Sequence, residues 1–488
     1  MRREALRLLC CLLPVMLLLV TQSSCNEASS ATPATASLAG RQLLTGGDNI
    51  SWPTSAGNAA DASYCRARLR LPLATEPTWT FTYTAAEFSN QDTYTILHRD
   101  GLLLLLSAQS PQLVGLDTAS GAVRFNESLY DYSIGQRQVE YFDMLFFSPH
   151  GLLIGHDGPG RVYCWDLAAG RPERLWITAE TGERNDIVAV NDCVWTSWDG
   201  FIRCLSVADG TQESSYPALS QTTSVVAAQN GMTVTWTTSG EFYALDPAGE
   251  PLWSYLSGIS GPVWSITAVI DEEHDTAYLK LPNEILECRD LISGEVRWRH
   301  TWADLMTDEQ RIAIFGSVEE AFPPYAVSLS ATPLGPVMSI ISGQVLALDH
   351  DGNRRWVYDT NVPVLACLAF ENGLLASERY LAPEFHGYLR FLTAFCPETI
   401  DWQRVREADE ERQRMGSFQR LVVLDPDTGA PLDAYEPELP FLAMTPAHDK
   451  LVCSERSLLG VNEHRVHAFD WLEWDAAGQN SIIEDKGN

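Results

Sequence analysis

The chain has 488 residues, 45% of them hydrophobic and 10% aromatic, which supports a sizeable core and rules out wholesale disorder. Against 33 Lys and Arg stand 64 Asp and Glu, a formal charge of −31 that repels phosphate backbones and anionic headgroups. A nucleic-acid partner gripped by a broad basic face is therefore excluded, and function has to be sought in local motifs.

The first 24 residues read as an export signal. Arg2, Arg3 and Arg7 form a basic start, and Leu8 to Val20 form an apolar run of 13 residues. That run is shorter than the roughly 20 residues a membrane-spanning helix needs and suits the apolar region of a signal peptide. Small residues precede a cysteine in Gln22-Ser23-Ser24-Cys25, which resembles the lipobox of bacterial lipoproteins, although Gln22 stands where that family carries an apolar residue. The resemblance implies lipid attachment at Cys25. The alternative is ordinary secretion with Cys25 a plain thiol. Removing residues 1–24, which carry three Arg and one Glu, leaves a formal charge of −33. Residues 25–75, rich at first in Ser, Thr, Ala, Gly and Asn, read as a flexible tether.

From residue 76 to 475 one pattern organises the chain. A strand ending in an aliphatic–Asp pair is followed by a Gly-containing turn and a further strand that often carries Trp. The copies end at Asp117, Asp166, Ser206, Asp246, Asp290, Asp349, Asp425 and Asp470, with spacings of 49, 40, 40, 44, 59, 76 and 45 residues. Trp253, Trp298 and Trp356 stand behind three of them. Several short strands per unit at this period specify a β-propeller. In each unit the Asp hydrogen-bonds backbone N–H groups just ahead, Gly takes the positive φ of the turn, and Trp packs between neighbouring units.

Eight copies predict an all-β fold, a single eight-bladed β-propeller of four-stranded antiparallel blades. Seven blades would follow if the degenerate copy at Ser206 were only an extra hairpin, but the even spacing on either side argues against that. Pro77 to Tyr83 looks like an outer strand with no blade before it, whereas the last blade has little chain left for its own. The N-terminal strand is thus expected to close the ring. The two long spacings predict insertions at about 303–340 and 378–420, the second with alternating charge that suits a short helix. Residues 476–488 form a C-terminal tail.

Phe242-Tyr-Ala-Leu-Asp246…Trp253 and Val345-Leu-Ala-Leu-Asp349…Trp356 resemble the PQQ-type repeat of the quinoprotein-like propellers. The same repeat serves dehydrogenases and non-catalytic scaffolds, so it implies a fold rather than an activity. Combined with export, lipidation and a tether, it resembles the BamB-type lipoproteins of outer-membrane β-barrel assembly. That resemblance implies a monomeric, non-catalytic scaffold in a bacterial periplasm or outer membrane, bound to a protein partner and carrying no cofactor. The alternatives are a PQQ-dependent oxidoreductase holding the quinone and calcium at the propeller axis, or a propeller binding a sugar or peptide.

No catalytic or metal-binding residue is assigned from the sequence. Asp271-Glu-Glu-His274-Asp275 reads as a solvated acidic turn, Asp425 to Gly429 as the repeat's own turn rather than a calcium loop, and His467 as a packed core residue. Cys164, Cys204 and Cys288 share one repeat position and read as buried small thiols, with Cys193 and Cys204 the one disulfide candidate.

Overall fold

Every copy of the repeat folds into a four-stranded antiparallel sheet, and eight such blades follow one another along the chain. They span 94–128, 142–177, 188–217, 222–256, 267–301, 326–359, 364–435 and 441–469, the last completed by Trp79–Thr84. The computed structural model describes residues 64–473, apart from 85–93, 130–141, 180–186, 258–266, 306–325, 380–418, 456–462 and several breaks of one to three residues. The signal, Cys25, most of the tether, the charged segment 402–415 and the C-terminal tail lie outside the described residues. The copy at Ser206 belongs to a complete blade, so the count is eight.

Burial follows from the sandwiching of each blade between two others. Second strands such as Thr233–Thr237, Thr276–Leu281 and Lys450–Glu455 are buried on both faces. The outermost strands Gln212–Pro217, Pro251–Leu256 and Val296–Thr301 alternate between exposed and half-buried residues. The core is accordingly not one mass but eight apolar clusters, one at each junction between neighbouring blades.

The ring closes as the sequence predicts. Trp79–Thr84 pairs antiparallel with Glu463–Phe469, with Trp79 opposite Ala468 and Phe81 opposite Val466. Thr445 of blade eight donates its hydroxyl proton to the Ile96 carbonyl of blade one at 3.2 Å. Closure removes the long free edge that an open sheet would expose.

Three expected boundaries shift. The tether does not run to residue 75. Tyr64–Cys65 pairs in parallel with Val364–Phe370 of blade seven, and Arg68–Leu69 pairs with Leu472–Glu473 after blade eight. Cys65, Ala67, Leu69 and Leu73 are buried in the core between those blades, while Arg68 is half-buried and Arg70 exposed. The segment Cys65-Arg-Ala-Arg-Leu-Arg alternates apolar and charged residues with a strand's period of two, which outweighs the polar composition upstream. The first insertion ends by Ala326, because Ala326–Thr332 is the inner strand of blade six; its start holds a short helix, Trp302–Leu305. The second falls between Gly373–Arg379 and Gln419–Leu424, both regular strands of blade seven.

Candidate functional site

The repeat's Asp and Trp residues build the junctions between blades. Asp290 Oδ1 accepts from the backbone N–H of Ile292 at 3.1 Å and of Ser293 at 2.8 Å. Asp425 Oδ1 does the same with Asp427 and Thr428, Asp246 with Ala248 and Glu250, and Asp166 with Ala168. Asp117 accepts from Ser120 and Asp349 from Asn353. The hydrogen bond from Arg124 holds the Asp117 carboxyl at about 2, and that from Arg297 holds Asp290 at about 2. Asp470 differs. The chain does not turn back after it, and its carboxylate instead meets the Lys450 ammonium, which holds it below the usual carboxylate range.

Five of the turns are each the seat of an indole from the preceding blade. Trp253 Nε1–H donates to the Leu291 carbonyl at 2.9 Å, Trp298 to His350 at 2.7 Å and Trp356 to Pro426 at 3.0 Å. Their rings lie over Gly294, Gly352 and Gly429, where an added Cβ would come within 2.5–2.7 Å of the indole. Trp79 and Trp176 dock in the same way, onto Thr118 and Val207. Trp176 escapes notice in sequence because a longer turn moves it ten residues past Asp166 instead of the seven that separate Asp246 from Trp253.

The residue across the strand from each indole is small: Ala468 for Trp79, Cys164 for Trp176, Ala244 for Trp253, Cys288 for Trp298 and Ala347 for Trp356. This explains the shared cysteine position, since a thiol is the size the ring tolerates. Cys164 and Cys288 are buried free thiols, whereas Cys204, which faces Ser214, is joined to Cys193 by a disulfide.

At one junction the turns also converge chemically. Asp271 ends the inner strand of blade five, His274 lies in the hairpin after it, and His350 sits in the last turn of blade six, held there by the Trp298 hydrogen bond to its carbonyl. The two imidazoles stack, with ring centroids 3.6 Å apart. His274 Nδ1 lies 3.1 Å and His350 Nδ1 3.6 Å from Asp271 Oδ2. The Tyr278 hydroxyl reaches His350 Nδ1 at 3.1 Å and Asp271 Oδ2 at 3.4 Å. Glu272, Glu273 and Asp275 of this hairpin are exposed, as a solvated acidic turn requires, but Asp271 is only 8% exposed. Asp271 and His274 stand together in the sequence but His350 does not, because three strands of blade five and three of blade six separate it from them.

Elsewhere, two buried carboxylates are neutralised within their own blades. Asp157 binds Arg161 and the Tyr163 hydroxyl, and Glu287 binds Arg289 and Arg299. His467 is buried, its Nδ1 2.9 Å from the hydroxyl of Thr80 on the closing strand.

No family model matches the chain, and no curated protein matches it. Solved structures do. BamB from Moraxella catarrhalis is similar at a TM-score of 0.51 and 10% identity, over 82% of this chain and 98% of that one. Quinohemoprotein alcohol dehydrogenase from Comamonas testosteroni is similar at 0.52 and 13%, over 86% and 80%. The computationally designed protein Ika8 is similar at 0.53 and 11%, over 78% and 95%. These likenesses bear out the fold, a β-propeller, whose eight blades the sheet topology gives.

Proposed function

We propose that the protein is an exported lipoprotein of a bacterial envelope, anchored at Cys25, whose propeller is a non-catalytic scaffold for other proteins. The observation that carries this reading is the rim. The outer strands at the described sheet edges have no strand beyond them, and they expose Val123, Leu252, Leu256, Val296 and Leu432. Free strand edges with apolar side chains suit addition of an extended segment from another chain. The partner class in this reading is β-barrel assembly components, which the likeness to BamB supports, and the acidic surface disfavours nucleic acid.

The test is a pull-down of the tagged full chain from detergent-solubilised membranes. Recovery of β-barrel assembly components supports the scaffold. Their absence, together with quinone-dependent dye reduction by the purified protein, sinks it in favour of an oxidoreductase using PQQ and calcium, the reading that the likeness to the alcohol dehydrogenase favours. Incorporation of labelled fatty acid checks the anchor, and a Cys25→Ala protein that stayed lipidated would remove it.

A further inference from the structure

We propose that Asp271, His274 and His350 form a binding site for one divalent transition-metal ion of the Zn²⁺ class, which links blade five to blade six. One ligand atom from each of the three lies within 4.8 Å of the other two. Zinc bonds to imidazole nitrogen and carboxylate oxygen are about 2.0–2.2 Å, which makes the edge of a tetrahedral site about 3.4 Å. The separations of 3.1 and 3.6 Å from Asp271 Oδ2 bracket that edge.

Hydrogen bonding sets the donor atoms. His350 Nε2 lies 3.0 Å from the Pro333 carbonyl, which can only accept, so Nε2 carries the proton. Nδ1 of that tautomer then faces the Asp271 carboxylate and the Tyr278 oxygen. Tyr278 has one hydrogen to give, to His350 or to Asp271, while the backbone N–H and Nδ1 of His274 both lie against the Asp271 carboxylate. A cation takes the place of the hydrogen between His274 Nδ1 and Asp271, with the Tyr278 hydrogen going to Asp271 Oδ2 as an outer-sphere hydrogen bond. The competing occupant is that hydrogen.

The surroundings favour a cation. Glu272, Glu273 and Asp275 lie in the same hairpin, and Asp349 and Asp351 flank His350. Arg297, which binds the His274 and Asp275 carbonyls and the Asp290 carboxylate, faces the backbone side of the hairpin. The histidine side chains are 32% and 29% exposed, which gives an ion a way in and leaves a coordination position for water. Two imidazoles and a carboxylate with one such open position match the ligand types of three-ligand zinc sites.

The experiment is titration of the full chain in detergent with Zn²⁺ by calorimetry, and with Co²⁺ for the visible absorption of a four-coordinate ion. One equivalent is expected, with a rise in Tm that grows with free Zn²⁺. Asp271→Asn and His350→Ala should each weaken that equivalent at least about tenfold. His274→Gln, in a half-exposed hairpin, should do so while leaving the metal-free Tm unchanged, which separates lost ligation from lost folding. No saturable equivalent, or equal affinity in all three variants, overturns the site and leaves the cluster held by its own hydrogen bonds. Neither result depends on whether a protein partner is found.

Discussion

Trp298 donates its indole proton to the backbone carbonyl of His350 at 2.7 Å, so the contact that docks blade five onto blade six also holds an imidazole beside the Asp271 hairpin. Replacing Trp298 by Phe keeps much of the apolar contact but leaves that carbonyl without its donor. The expected cost is about 1–2 kcal/mol, against about 3–5 kcal/mol for Trp298→Ala. A lower denaturant midpoint at unchanged slope checks both. Trp253→Phe, one junction earlier, should destabilise similarly. Only Trp298→Phe should also weaken Zn²⁺ binding, and equal effects of the two on the metal would separate the docking contact from the cluster.

The turn glycines have two separable reasons to be glycine. Gly294 has φ +72°, and an added Cβ would sit 2.6 Å from Cγ of Trp253. Gly170 has nearly the same φ, +75°, but nothing lies within 4 Å of its Cβ direction, because blade one carries Phe125, which folds over Gly115 of its own blade. Gly170→Ala should therefore cost about 1–2 kcal/mol, the backbone term alone. Gly294→Ala should cost at least about 1 kcal/mol more, because a ring pinned by its own hydrogen bond has to move. Equal losses in thermal or denaturant unfolding would mean that the indole yields freely.

The Asp–Gly turns, and through their count the blade number, were legible in the sequence because each turn lies within about ten residues and obeys local rules. The docking of Phe242-to-Trp253 units was legible for the same reason. Ring closure was legible because Pro77 to Tyr83 has no blade before it and the last blade little chain left for an outer strand. The short strands Tyr64–Cys65 and Arg68–Leu69 were not, since composition averages away a period-two pattern only six residues long. The Asp271–His350 cluster was hidden for a different reason. Tyr278 and His350 lie 72 positions apart, and only the docking of one blade on the next brings them together. Repeats thus announce their own structure, while chemistry built across a junction has no local signature.

The free cysteines among the described residues, at 65, 164, 288, 367 and 453, are all buried. Burial pushes the thiols of Cys65, Cys288 and Cys367 up to about 12, and Cys453 well above its ordinary value. The thiolate is the reactive form, so alkylation near pH 8 should leave all five unmodified in the native protein. Mass spectrometry after treatment with iodoacetamide checks this. All five should become reactive in guanidinium, and rapid native-state labelling of any of them would contradict the packing described.

Lys280 lies in the second strand of blade five, opposite Thr267 on one side and Leu286 on the other, and is only 7% exposed. Burial disfavours its charged form and pushes its pKa down to about 8. The unfolded chain keeps an ordinary lysine, which titrates near about 10.4. Between about pH 8 and 10.4 the unfolded state therefore holds more protons than the folded one, and stability contributed by this group rises with pH across that window. Below about pH 8 both states are charged and the burial penalty is constant. Tyr163 and Tyr278, whose pKa values burial raises, act in the opposite direction, because their stabilisation is lost as pH rises above about 10. The buried thiols of Cys65, Cys288, Cys367 and Cys453 oppose it too, because the unfolded chain loses those protons from about pH 8.5 while the folded chain keeps them. The lysine contribution is therefore read as the difference between Lys280→Met, which keeps the apolar stem, and the native sequence. The variant should be more stable near neutral pH by about 1–3 kcal/mol, and that advantage should shrink as pH rises from about 8 to 10. An advantage that stayed constant across that interval would assign the pH dependence to other groups.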